Sequence, residues 1–133
     1  MRKNVFILCC LGMVILLNHS AFSQKITIEK SYPEAFLRAY DNYVNKNYAA
    51  SFEQFSALVE QTPQDREELL QDIMFYRASS AYEMMNKDAD ALLCEFISLC
   101  PQSSHCNEAY FLLANFYARG ERYDQAIEVY SKM

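Results

Sequence analysis

Residues 107–130 read NEAYFLLANFYARGERYDQAIEVY, and this stretch decides the fold. Tyr110, Leu113, Ala114 and Tyr117 recur at three- and four-residue spacing, which lays them along one side of an α-helix. Gly120 interrupts the pattern, and Tyr123, Ala126 and Tyr130 resume it, so the stretch predicts two amphipathic helices joined by a turn. One helical hairpin cannot hide its apolar side alone, so the rest of the chain has to supply neighbours.

Upstream, the same arrangement appears twice more. Phe75, Ala78, Ser79 and Tyr82 precede a polar break at Asn86-Lys87-Asp88, followed by Ala89, Leu93, Phe96 and Ile97 up to Pro101. Earlier still, Phe36, Ala39, Tyr40 and Tyr43 precede Asn45-Lys46-Asn47, followed by Tyr48, Phe52, Phe55, Leu58 and Val59 up to Pro63. Ser51, Ala89 and Ala126 stand 38 and 37 residues apart, as do Phe55, Leu93 and Tyr130, and Pro63 and Pro101 are 38 apart. A period near 37 is that of a helical-hairpin array. Repeats are predicted at about 33–63, 71–101 and 107–133, the last incomplete, within an all-α solenoid of stacked antiparallel hairpins spanning 33–133. Gln64 to Glu68 is expected to lengthen the connection after Pro63.

The third copy resembles the tetratricopeptide repeat, with Tyr110, Leu113, Ala114, Tyr117, Gly120, Tyr123, Ala126 and Tyr130 matching in type and spacing. Relative to it, the first copy has a turn one residue shorter and Ser51 in the usual alanine position, and the second a turn two shorter. The resemblance covers about residues 34–133, and the 37-residue spacing looks like that of periplasmic members found in cell-envelope assembly. It implies a non-catalytic scaffold for a protein or peptide partner. In that family the first helices line a concave groove, here implying Leu37, Asp41 and Asn45; Tyr76, Ser80 and Glu83; Phe111, Asn115 and Arg119 as groove residues. The competing reading is that these residues only contact further repeats.

Residues 1–23 read as a signal peptide. Arg2 and Lys3 open it, Val5–Leu17 is an apolar run of thirteen, and Ala21-Phe22-Ser23 places small residues for cleavage before Gln24. Retention as an anchor is the rival, but thirteen residues reach only about 20 Å against a ~30 Å hydrocarbon core. Cys9 and Cys10 leave with this segment, and 24–32 is a lead-in carrying a brief alternation at Ile26 and Ile28. Export to the periplasm or outer envelope, with no membrane span after cleavage, is the expectation. The chain after cleavage has ten basic and seventeen acidic residues, a net −7, which disfavours nucleic acid as a partner.

Chemistry is sparsely represented. With Gly12 removed, Gly120 is the single glycine, so no glycine-rich phosphate loop exists, and no cofactor is expected. His105 is the one histidine left, too few for a paired imidazole acid and base, which makes a hydrolase the weakest reading. Cys94, Cys100, His105 and Cys106 supply a ligand set that zinc accepts, but the spacing C-x5-C-x4-H-C lacks the usual C-x2-C pairs. A disulfide between Cys100 and Cys106 is the commoner fate in an exported protein, and small buried residues are the plain alternative. Met133 falls inside the second helix of the third copy, so the open end is expected to meet further C-terminal repeats, a partner, or a second copy.

Overall fold

The computed structural model describes residues 32–133, so the expected signal peptide and its cleavage site, and the lead-in up to residue 31, lie outside the described residues. Within them the protein is all-helical: α1 (Glu34–Val44), α2 (Tyr48–Gln61), α3 (Glu67–Glu83), α4 (Ala89–Leu99), α5 (Cys106–Arg119) and α6 (Tyr123–Tyr130), with no strand. Each helix packs on the next, and α1 and α5 also pack on α3. No such contact joins α2 to α4 or α4 to α6. The odd-numbered helices therefore form a closer layer than the even-numbered ones.

Small side chains permit that closeness. Ala39, Ala78 and Ala114 are buried on α1, α3 and α5 and keep their backbones near neighbouring helices. Phe55, Phe75, Phe96, Ile73 and Leu93 fill the space between, each shielded from solvent. Ser51, Ser79 and Ser80 are the buried polar side chains, and every buried side-chain donor or acceptor among the described residues has a partner. That satisfaction matters because an orphaned buried hydroxyl costs about 1–3 kcal/mol.

The three turns after the first helices are copies of one another. Asn47 N–H donates to Asn42 O, Asn86 N–H to Ala81 O and Arg122 N–H to Tyr117 O, at 2.8, 2.9 and 2.9 Å, the six-residue closure that ends many helices. Each loop has a left-handed residue at the same place, Lys46, Met85 and Glu121, with φ of 63°, 56° and 58°. None of the three is glycine. Gly120 sits one position earlier at φ −85° and is thus displaced from the position where its freedom would help most.

These turns correct the register read from the sequence. They align Phe36 with Phe75 and with Phe111, not with Tyr110. Counted from the turn, the first and third copies are equal in length (Asn45 to Ser51, Gly120 to Ala126), and the second is one residue shorter (Met84 to Ala89). α3 also begins at Glu67, ahead of the expected residue 71. Glu67 and Glu68 occupy its first turn, where carboxylates complement the exposed N–H groups, and Leu69 and Ile73 anchor that turn in the core.

Proline ends the other two connections as the sequence implied. Thr62, before Pro63, is extended (φ −85°, ψ 123°), and Cys100, before Pro101, leaves the helical region (φ −125°, ψ 52°). The proline ring crowds the preceding residue out of the α conformation, so α2 and α4 stop where they do.

Candidate functional site

The odd-helix layer carries a row of tyrosines. Tyr76 on α3 packs edge-on against Tyr40 and Tyr43 of α1, with ring centroids at 5.0 and 5.2 Å. The Tyr43 hydroxyl shares a 2.7 Å hydrogen bond with Ser79 Oγ across the same seam. Burial holds the phenols of Tyr43 and Tyr76 above their ordinary range. For Tyr76 the neighbouring Tyr40 and Asp72 add to the effect; for Tyr43, the charges of Glu83 and Glu108 do so, against the Ser79 hydrogen bond. Those carboxylates place α1, α3 and α5 around one acidic, tyrosine-rich face, on which Tyr40, Asp41, Glu83 and Glu108 are exposed.

At the α5 end of this seam sits His105. Its ring lies flat on Phe75, centroids 4.2 Å apart and planes 5° apart, and Nε2 is 3.0 Å from Asp72 Oδ1. Tyr76 closes over it at 5.7 Å. Three contacts fix the imidazole at the place where α5 starts. The sequence offered His105 as the one remaining histidine and as a member of the candidate zinc set; Asp72, 33 residues earlier, carries no signal of its own.

The groove residues expected from resemblance do not share one surface. Ser80 is fully buried, its hydroxyl donating to the Tyr76 carbonyl at 2.7 Å and lying 3.1 Å from Ser51 Oγ, so it packs α3 against α2. Tyr76 is half-buried in the aromatic seam, and Leu37 is half-buried on α1. Asp41, Asn45 and Glu83 are exposed, and Asn45 donates to the Asp41 carbonyl at 2.8 Å. Arg119 is exposed too; it lies over the Tyr82 ring at 4.9 Å and donates to Met85 Sδ at 3.4 Å. Phe111 and Asn115 belong to the outer side of the last pair, where Asn115 Oδ1 accepts from the Tyr130 hydroxyl at 2.7 Å. The one-residue register error sets Phe111, Asn115 and Arg119 apart from the residues of the first two copies, because it turns a helix by about 100°, whereas Asp41 and Ser80 share a register and differ because Ser80 meets Ser51 of α2.

The cysteines separate as well. Among the described residues the thiols of Cys94, Cys100 and Cys106 are free, with no bridge between Cys100 and Cys106. Burial pushes the Cys100 thiol up, with Glu67 and Cys106 adding to it. Cys94 is exposed and lines a cavity of about 340 Å³ between α4 and α6 together with Tyr117, Glu128 and Lys132. His105 faces Asp72 instead of the thiols, and among the described residues no three His, Cys, Asp or Glu side chains converge to hold a metal ion. The proposed zinc set is therefore not assembled. Among the described residues, no helix is long and apolar enough to cross a membrane.

Comparison of the chain with family models, with curated proteins and with solved structures gives no match.

Proposed function

We propose that this protein is a non-catalytic scaffold of the tetratricopeptide type, a stack of helical hairpins exported to the cell envelope, whose odd-helix face takes a segment of a partner protein. The observation that carries this reading is the packing asymmetry: α1, α3 and α5 contact one another in series, whereas α2, α4 and α6 do not. A tighter layer on one side bends a stack toward that side and gives it a concave face. The sequence resemblance leads to the same side.

The face's chemistry narrows the partner. Tyr40 and Tyr43 offer ring surface and hydroxyls, and Asp41, Glu83 and Glu108 surround them with negative charge. Such a surface suits an extended segment with basic side chains, which gains long-range attraction from the carboxylates and orientation from hydrogen bonds. His105 is held by Phe75 and Asp72, a contact that packs the start of α5 on α3.

A photo-crosslinking residue placed at Asp41 or Glu83, and in a control at Glu60 on α2, tests the assignment in cells. The two face positions are expected to trap one discrete envelope protein that the control does not. Equal labelling from all three sites, or none from the face, overturns the proposal.

A further inference from the structure

The junctions between helix pairs differ on the side of the even-numbered helices. At the first, Arg77 extends from α3 and donates to Glu95 of α4 at 3.2 Å. The Arg77 side chain is only 19% exposed, so its stem lies along packed surface and its charge is spent on Glu95. In the register of the turns Arg77 corresponds to Leu113, and counted from Ala89 and Ala126 Glu95 corresponds to Lys132. The third pair therefore has a shorter, apolar side chain where the second has the arginine, and a cation where the second has the carboxylate that receives it.

Leu113 and Lys132 both line the cavity of about 340 Å³ between α4 and α6. Ile97, Leu113 and Val129 make its apolar wall, beside the rings of Tyr110 and Tyr117. Its rim carries one charge of each sign, Lys132 Nζ and Glu128 Oε1, 2.7 Å apart at the end of α6. Val129 is 7% exposed and faces α4, so this space is distinct from the outer side of the last pair, where Phe111 and Tyr130 lie.

The rim restricts the occupant. A ligand with a single charge meets its own sign in one of the two groups. A zwitterion meets an opposite charge in both, its ammonium on Glu128 and its carboxylate on Lys132. The pair that it opens is 67% exposed at Glu128 and 51% at Lys132, where an ion pair contributes little, so entry is cheap. Size narrows the choice further. With ~30 Å³ as a water's share of volume, the cavity holds roughly eleven water-sized groups, the bulk of a single amino acid with a large apolar side chain. The tyrosine rings offer edges and faces to a further ring. We infer that the cavity between α4 and α6 binds a free, zwitterionic α-amino acid with a large apolar side chain, which fills the place that Arg77 takes at the first junction. The site lies on the even-helix side and is independent of the odd-helix face proposed to hold a partner.

The test titrates L-phenylalanine into the full chain by calorimetry. N-acetyl-L-phenylalanine lacks the cation, L-phenylalanine amide lacks the anion, and L-alanine lacks the apolar body. L-phenylalanine is expected to bind with a Kd below about 1 mM and each of the other three about ten-fold more weakly or worse. Glu128→Gln and Lys132→Met change exposed side chains, so both keep the wild-type helical circular dichroism, and each weakens L-phenylalanine about ten-fold. Leu113→Arg combined with Lys132→Glu copies the first junction into the second and abolishes binding. Three results overturn the inference: no binding of L-phenylalanine at about 10 mM, equal binding of the four compounds, and undiminished binding in Glu128→Gln and Lys132→Met.

Discussion

At the junction of the first and second helix pairs, Tyr76 meets Phe36, Tyr40, Tyr43 and Phe55, four rings from the pair before it. At the junction of the second and third pairs, His105 stacks on Phe75, beside Phe96, and reaches back to Asp72 at 3.0 Å. Both junctions set a ring from the incoming pair over a phenylalanine. They differ in what accompanies it: a cluster of phenols in one, an imidazole-carboxylate contact in the other. The repeat therefore specifies where a ring must be and leaves its chemistry open, so the two junctions should respond differently to volume, to alkali and to loss of charge.

Loss of volume is expected to have the largest effect, and it should weigh most on the second junction. Phe75 contacts Tyr76, Phe96 and His105, so it serves both junctions at once. Phe75→Ala removes a fully buried ring and leaves a cavity that three stiff aromatic neighbours cannot close. The expected cost is about 3–5 kcal/mol, a large part of a small domain's stability. Phe111→Ala, the same residue at the open end, should cost far less, because half of its ring is already in water. Chemical denaturation of both variants measures the contrast; equal losses would show that the register drawn from the turns is mistaken.

Alkali should act on the first junction. Burial holds the Tyr43 and Tyr76 phenols above 10.0, their ordinary value. Below that pH both folded and unfolded chains keep these protons, and the contribution to stability is constant. Above it the unfolded chain releases them first, binds fewer protons than the folded chain, and is favoured as the pH rises. The slope cannot exceed about 1.4 kcal/mol per pH unit for each proton, and partial exposure reduces it. Tyr43→Phe with Tyr76→Phe is expected to flatten the decline of the denaturation midpoint above about pH 10 relative to wild type. An unchanged decline would mean that the phenols of this seam are as free to ionise as those of the unfolded chain.

Much of this architecture was legible beforehand because helix packing leaves a three- and four-residue signature and the prolines mark the ends. The loops at 45–47 and 86–88, the stops at Pro63 and Pro101 and the buried Phe36, Phe55, Phe75 and Phe96 follow from that pattern. The register between copies did not, because it depends on where each turn closes. A left-handed residue is easy to anticipate when it is glycine, and here the position falls to Lys46, Met85 and Glu121. Anchoring the third copy on Gly120 displaced the comparison by one residue, which hid the equivalence of Phe111 with Phe75, while Ser80 is buried because α3 packs against Ser51 of α2 as well as against α1 and α5. The Asp72–His105 contact was out of reach for a different reason, since a pairing across 33 residues needs the third dimension.

That contact offers the smallest and most specific way to separate the junctions. Asp72 and His105 are each about one-fifth exposed, so solvent weakens their attraction without abolishing it. Asp72→Asn keeps the size of the side chain and an oxygen acceptor while removing the charge; His105→Gln keeps a donor while removing the ring that stacks on Phe75. A hydrogen bond of this exposure contributes about 0.5–1 kcal/mol, so the double-mutant cycle should return a coupling of that order. His105→Gln alone should cost more than Asp72→Asn, because only the former uncovers Phe75. In a Tyr76→Phe background the coupling should persist, since the hydroxyl of Tyr76 is not part of the pair, and its disappearance there would show that the two junctions form one network instead of two. A cycle that sums to zero in wild type would leave His105 as a stacking ring alone, and the second junction would then differ from the first only in the identity of the ring that fills it.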